Sequence, residues 1–219
     1  MNPSAVICYF DGTIVDTEWP VYETARVAHE AHGLRLPIED WVRIVGSADN
    51  KPLVERLRDQ LGREPDPDVL TRAKDQHRAV RETAPTLPGV HEFLDTIASA
   101  GRPLGIASSS PMDWVGGHLD RLGLFERFTS FSTRDQVDRG KPAPDLFLLA
   151  AAQLELDPAE MLVIEDSRNG AVAAKAAGMK CAITYTSSTA DADFKGEGAD
   201  LVLESLDGVT VQDLFRLVD

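Results

Sequence analysis

Basic residues are scarce in this chain: 22 Lys and Arg stand against 36 Asp and Glu over 219 residues, a formal net charge of −14. A field of that sign repels nucleic-acid backbones and anionic lipid, which argues against both as main partners. A small anionic substrate stays open, because one lysine overrides a global field at short range. Cysteine is nearly absent. Only Cys8 and Cys181 occur, far apart, which excludes a disulfide framework and suits a reducing compartment. Long apolar runs are missing as well: none approaches the roughly 20 residues that span a bilayer, and no basic segment leads into an apolar one at the start. The expectation is therefore a cytoplasmic protein without a signal peptide. Nothing in the sequence speaks to assembly, and the reading favours a monomer. Five histidines (His29, His32, His77, His91 and His118) fall in helix-patterned stretches. His29 and His32 are three apart but lack a third ligand, so solvated faces are expected rather than a zinc site.

What the chain does have is 43 % hydrophobic residues, enough for a chain of this size to bury roughly 70 % of its unfolded surface. "AVIC" at Ala5–Cys8 reads as a buried strand. From Asp16 to about Thr86 the apolar spacing is helical. "VYETARVAHEAHGL" predicts a helix with Gly33 as its cap, "PIEDWVRIVG" one stopped by Gly46, and "NKPLVERLRDQLG" one stopped by Gly62. "DPDVLTRAKDQHRAVRETA" predicts a longer helix with Pro67 at its start. Beyond Leu87, "RPLGIASSS", "FTSFST", "MLVIED", "KCAITY" and "ADLVLESL" read as strands, each with a helical stretch beside it. Strand–helix alternation of this kind argues for a parallel sheet covered on both faces. The helical block is then an insertion into an α/β domain. "TSSTADADFKGEGAD" reads as a long polar loop.

Three predicted strands end in polar residues, "YFDGT", "ASSS" and "IEDS", and a fourth polar element, "RGKPAPD", precedes a helix. Ligands of open α/β sheets sit at the carboxyl ends of the strands, so these elements are expected to converge. They bring carboxylates (Asp11, Glu165, Asp166), hydroxyls (Ser108, Ser109, Ser110) and one ammonium (Lys141). Hard oxygen ligands of this type hold Mg²⁺, and hydroxyl and amide donors with a positive charge neutralise phosphoryl oxygens. Each element alone has a plainer reading: a serine turn, a surface lysine, an acidic helix start.

Taken in order, "FDGTIVDTE", "LPGV", "GKPAPDLF" and "IEDSRNGAVAAKAAGM" resemble the haloacid dehalogenase superfamily, in its phosphoglycolate phosphatase and β-phosphoglucomutase-like branch. The resemblance implies a Rossmann-like parallel sheet core, residues 1–15 and 88–219, with an all-helical cap inserted at 16–87. It implies a Mg²⁺-dependent hydrolase of small phosphorylated metabolites. Position by position, Asp11 would be the general acid–base and would give its backbone carbonyl to the metal. Gly12 and Thr13 would bind the phosphate. Ser108 and the Ser109 amide would hold the transferring phosphoryl group, Lys141 would bridge phosphate and nucleophile and so offset charge, and Glu165 and Asp166 would ligate Mg²⁺ directly or through water. The cap loop of related mutases carries an arginine that clamps a second phosphate. The matching stretch here offers Ala48, Asp49 and Lys51, which speaks against a doubly phosphorylated sugar. Trp19 and Trp41 either face substrate or pack within the cap.

One position departs from the pattern. The family's nucleophile is an aspartate that becomes an aspartyl-phosphate, and its slot holds Tyr9. A phenol titrates near pH 10 and a carboxylate near pH 4, so Tyr9 is expected to be neutral at pH 7, a weak nucleophile and a poor Mg²⁺ ligand. Its ester would lack acyl-phosphate reactivity. Cys8 alternates to the opposite face and is expected in the core. Three readings follow: a phosphatase-type hydrolase with impaired turnover and weakened Mg²⁺ binding, a non-catalytic protein that binds a phosphorylated ligand, or an enzyme that uses Tyr9 in a different chemistry.

Overall fold

The structure, a computed structural model, describes residues 3–44, 47, 51–186 and 198–215. Six parallel strands form one sheet: β1 (Ala5–Cys8), β2 (Leu104–Ala107), β3 (Ser130–Ser132), β4 (Met161–Glu165), β5 (Lys180–Thr184) and β6 (Leu201–Leu203). Their order across the sheet is β3-β2-β1-β4-β5-β6. Every residue of β1, β2 and β4 is buried, as continuous apolar runs in a two-face-covered parallel sheet require. β1 lies between β2 and β4, with Cys8 opposite Ile106 on one side and Ile164 on the other. The chain reverses its direction of travel across the sheet at this strand, and a crevice opens at such a switch point.

Helices α1 (Glu18–Glu30), α2 (Ile38–Ile44), α3 (Leu53–Leu61) and α4 (Pro67–Thr83) follow β1 before the chain returns to the sheet through α5 (Val90–Ser99). Helices α6 (Met112–Leu122), α7 (Asp145–Leu154), α8 (Arg168–Ala176) and α9 (Val211–Phe215) complete the described elements. One face of the sheet packs Cys8, Ile106 and Ile164 against Phe93 and Ile97 of α5 and Val115 and Leu119 of α6. The other packs Ile7 and Val163 against Phe147 of α7 and Ala174 of α8. Complete burial of a residue such as Ile7 stabilises the fold by about 1.5–3 kcal/mol. Cys8 sits in this core as expected, its thiol pushed up to about 12 by burial.

The helical segment has its own, smaller cores. Trp41 packs on Tyr22 and Ala25, and Leu57 on Ala28, Val69 and Ala73. Local chemistry sets the ends of its helices. Asp66 accepts a hydrogen bond from the Asp68 N–H ahead of Pro67, and Gly62 closes α3 at φ +65°. The helix predicted to end at Gly33 stops earlier: α1 ends at Glu30 with Ala31 as its cap, and Gly33 follows in a turn at φ +71°. The Gly46 stop and most of the predicted polar loop lie outside the described residues. The two connections to the sheet run side by side. Asp16 N–H donates to Pro85 O (3.0 Å) and Leu87 N–H to Ile14 O (3.1 Å). No helix among the described residues is long and apolar enough to cross a membrane.

Candidate active site

The β1 strand ends at Cys8, and the chain turns through Tyr9, Phe10 and Asp11 at the sheet's carboxyl edge. Gly12 takes φ +75°, and a Cβ there would lie 2.0 Å from Asp166 Oδ2, so the turn admits only glycine. Four donors surround the Asp11 carboxylate. Thr17 Oγ1 (2.8 Å) and Trp114 Nε1 (2.8 Å) donate to Oδ1, and Ser110 Oγ (2.7 Å) and Ser108 Oγ (3.4 Å) to Oδ2. These come from α1's approach, from α6 and from the loop after β2, so one carboxylate ties three segments together. Ser108 Oγ also accepts from the Ser110 N–H at 3.0 Å, which shapes the serine turn.

Lys141 is fully buried. Its ammonium pairs with Glu165 Oε1 and lies 3.4 Å from Ala107 O. It stands 3.6 Å from the centroid of the Tyr9 ring and 5.0 Å from that of Phe147. Ring faces attract a cation in this position, by about 2 kcal/mol when the pair is desolvated. The other Glu165 oxygen accepts from the Asp166 and Ser167 N–H groups (3.1 Å each) and from Ser167 Oγ (2.9 Å). Ser167 in turn caps α8 by accepting from the Gly170 N–H. A Cβ on Gly170 would come within 1.8 Å of the Glu165 carboxyl carbon, so this glycine gives the carboxylate its room.

Asp166 is buried beside this network, and neither of its carboxylate oxygens has a hydrogen-bond partner. Its carboxyl titrates well above the ordinary range, first through burial and then through the neighbouring charges of Glu165 and Glu18. Glu18, at the start of α1, is pushed up to about 8 by burial and by Asp11 and Glu165. Burial and the Asp11 charge hold the Tyr9 phenol well above its usual value, so it is protonated at neutral pH.

A cavity of about 430 Å³ opens over this edge, lined by Tyr9, Asp11, Glu18, Ser109, Trp114 and Arg134 among others. Of the residues expected from the sequence, Tyr9, Asp11, Ser109 and Ser110 line it. Gly12, Thr13, Ser108, Lys141, Glu165 and Asp166 stand behind that wall, the last three packed around Tyr9 and Gly12. Thr17, Glu18, Trp114 and Arg134 had drawn no attention. Thr17 and Glu18 lie inside the stretch "FDGTIVDTE", whereas nothing in the sequence ties Trp114, one turn into α6, to Asp11. Trp41 packs against Tyr22, ring centroids 5.7 Å apart, and also lines the cavity. Trp19 is at the surface. Ala48 and Asp49 lie outside the described residues, and Lys51 pairs with Asp59 at 2.6 Å.

The histidines need a correction. His29 and His118 are completely buried rather than solvated. His29 Nδ1 lies 2.6 Å from Ala25 O. His118 lies against Phe10 and Trp114 and is pulled down to about 4 by burial.

The donor set can be tested against magnesium. The ion takes six oxygens at about 2.0–2.1 Å in near-octahedral geometry. Asp166, a buried carboxylate without a donor, has the right chemistry for one of them. Asp11 is engaged by four donors and Glu165 by a lysine, a serine hydroxyl and two backbone N–H groups. No group of three or more His, Cys, Asp or Glu among the described residues is placed to hold a metal. Of the three acidic residues expected to ligate the ion, only Asp166 has a carboxylate without a donor, which is not a complete magnesium site.

Known proteins carry this pattern widely. A family model described as haloacid dehalogenase-like hydrolase matches residues 4–178. YhcW of Bacillus subtilis (strain 168), provisionally named a phosphatase, is 41 % identical over 203 residues, 92 % of this chain and 91 % of that protein. A phosphorylated carbohydrates phosphatase of Thermotoga maritima is 31 % identical over 182 residues, 80 % of this chain and 82 % of that one. Among solved structures, a HAD family hydrolase from Deinococcus radiodurans R1 with bound phosphate and sodium matches at a TM-score of 0.75. The two are 28 % identical, over 94 % of this chain and 92 % of that one.

Proposed function

Because the chain belongs to the haloacid dehalogenase-like hydrolases, we propose that its sheet-edge cavity binds the phosphoryl group of a small phosphorylated sugar or sugar alcohol, with turnover limited by Tyr9. The observation that carries this is the Asp11 carboxylate held by four donors at the floor of a cavity at the switch point of the sheet. In this reading Asp11 exchanges a proton with the ester oxygen of the leaving group, while Ser108 and the Ser109 amide hold the phosphoryl oxygens. Residues 16–87 act as the cap that closes over substrate. Relatives named for phosphorylated carbohydrates and for hexitols support the substrate class.

Tyr9 stands in the nucleophile's place. A buried, protonated phenol attacks phosphorus poorly, and its aryl phosphate would be stable to water. Magnesium binding is weakened for the same reason, since a carboxylate at position 9 would stand with Asp166 as the second anionic oxygen donor. Lys141, engaged by the Tyr9 ring and Glu165, favours a second reading: a protein that binds a phosphorylated ligand without hydrolysing it.

Replacing the phenol distinguishes the two. Tyr9→Asp is expected to gain Mg²⁺-dependent hydrolysis of p-nitrophenyl phosphate by at least 100-fold over the native chain. A variant that folds, binds phosphate and stays inert across divalent metals and substrates overturns the hydrolase reading and favours the binding protein. Mass-spectrometric detection of phosphate on Tyr9 after exposure to substrate would instead assign the tyrosine a covalent role.

A further inference from the structure

The cavity over Asp11 has to accept an anion, and its walls offer little to attract one. Asp11 and Glu18 both line it, against a single lysine or arginine among the described residues, Arg134. The net charge of −14 adds to the repulsion. Lys141, the cation expected to meet phosphate, is closed off. It is fully buried, its ammonium pairs with Glu165, and the Tyr9 ring covers it at 3.6 Å. Magnesium does not make up the deficit, because only Asp166 among its expected ligands has a carboxylate without a donor.

Arg26, Arg58, Arg127 and Arg139 each meet a carboxylate at 2.6–2.8 Å. Arg134 donates to carbonyls instead: Nη1 to Val137 O at 2.7 Å and, more loosely, Nη2 to Asp138 O at 3.5 Å. These bonds hold the guanidinium without neutralising it, and they use two of its five N–H donors. The carboxylate beside it in sequence, Asp135, is spent elsewhere, accepting from the Met112 N–H (3.1 Å) and from Thr133 Oγ1 (2.7 Å). Thr133 N–H donates in turn to Gln136 Oε1 (2.9 Å). The Arg134 N–H donates to Ser110 O at 3.2 Å, which ties this loop after β3 to the serine turn beside Asp11. A guanidinium held in place with donors to spare is preorganised for an oxyanion, whose paired oxygens match its fork.

We propose that Arg134 is the cation that binds the phosphoryl group in this chain, and that this binding needs no divalent metal. The inference rests on the phosphomonoester reading above and deepens it by naming the source of positive charge. The Tyr9 ring lies against the Lys141 ammonium and itself lines the cavity, so the charge comes from the loop after β3. The serine turn supplies the neutral donors beside it.

Calorimetry on the native chain tests this, with inorganic phosphate and glucose 6-phosphate titrated in EDTA and again in excess MgCl₂. Affinities in the two buffers are expected to agree within about twofold. Arg134→Gln keeps a donor for Val137 O and loses the charge, and should weaken both ligands about tenfold or more, as loss of a charge-assisted pair does. Arg134→Lys keeps the charge and should bind more tightly than the glutamine protein. Arg134→Met replaces Arg134→Gln should the latter fail to fold. Equal weakening by lysine and by the uncharged residue would make Arg134 a brace for its loop and overturn the inference. Binding seen only with MgCl₂, or an affinity that survives loss of the charge, also overturns it; each of these outcomes leaves the phosphomonoester reading standing. Silence of both ligands in both buffers overturns the two together.

Discussion

The carboxyl edge of the sheet and the interior of the helical segment handle charge in opposite ways. At the sheet edge Lys141 has Glu165, Asp11 has four donors, and Glu165 has four contacts, all gathered at the carboxyl ends of buried strands. Asp166 is the exception. Within the helices a large space remains beside Trp41, and Arg56 keeps two buried nitrogens unpaired. The first arrangement fixes a few atoms in place, as proton transfer and phosphoryl binding require. The second leaves room and an arginine with unmade hydrogen bonds.

The largest test of that contrast removes the buried ammonium. Lys141→Met leaves the Glu165 charge without its partner and is expected to cost about 3–5 kcal/mol in chemical denaturation, with Lys141→Met/Glu165→Gln recovering part of it. A loss below 1 kcal/mol would show the edge to be far wetter than its geometry. Next comes the helical core. Leu57→Ala is expected to cost about 2–5 kcal/mol. Hydrogen exchange should then speed in α1, α3 and α4 while the β1 and β4 amides hold, and equal acceleration in the strands would mean that the two regions unfold as one. The smallest effect is a slope with pH. His118 titrates near 4 in the folded chain against 6.5 ordinarily. The unfolded state therefore binds more protons between those values, and stability rises with pH across that window. His118→Phe should reduce this rise, to which His29 and His77, also lowered by burial, contribute. Glu18, raised to about 8, and Asp166, raised well above its ordinary value, act in the opposite sense: the folded state holds their extra protons, so their contribution to stability falls as pH climbs, for Glu18 from about 4.5 to 8. Urea midpoints across the range check both signs.

Much of this architecture was legible in the residues. "AVIC", "LGIA" and "MLVIE" are unbroken apolar runs, and only a strand covered on both faces uses such runs at that length. Gly62 and Pro67 announce their helix ends by backbone chemistry alone. The site's members were legible as polar strand ends. Their division into a cavity wall and a layer behind it was not, because that depends on which way each side chain points after the turn. Lys141 looks like a surface lysine until Tyr9, Phe147 and Glu165 close over it. His29 and His118 share their helical patterns with exposed neighbours, and burial was settled by what packs opposite, which no spacing records. Arg56 is one of many charges on an amphipathic helix, and its lack of a partner exists only in three dimensions.

The paired connections between sheet and helices, Asp16 to Pro85 and Leu87 to Ile14, have a consequence for how such a protein can change. About seventy residues leave and re-enter the sheet domain through points a hydrogen bond apart, so the sheet's own path is nearly continuous without them. The segment is in effect a cassette. Its length, helix count and cavity can be exchanged at a single seam while the strands keep their register and Asp11 keeps its donors from the loop after β2 and from α6. Under the proposed function, the helical side of the seam can then vary while the residues around Asp11 stay as they are.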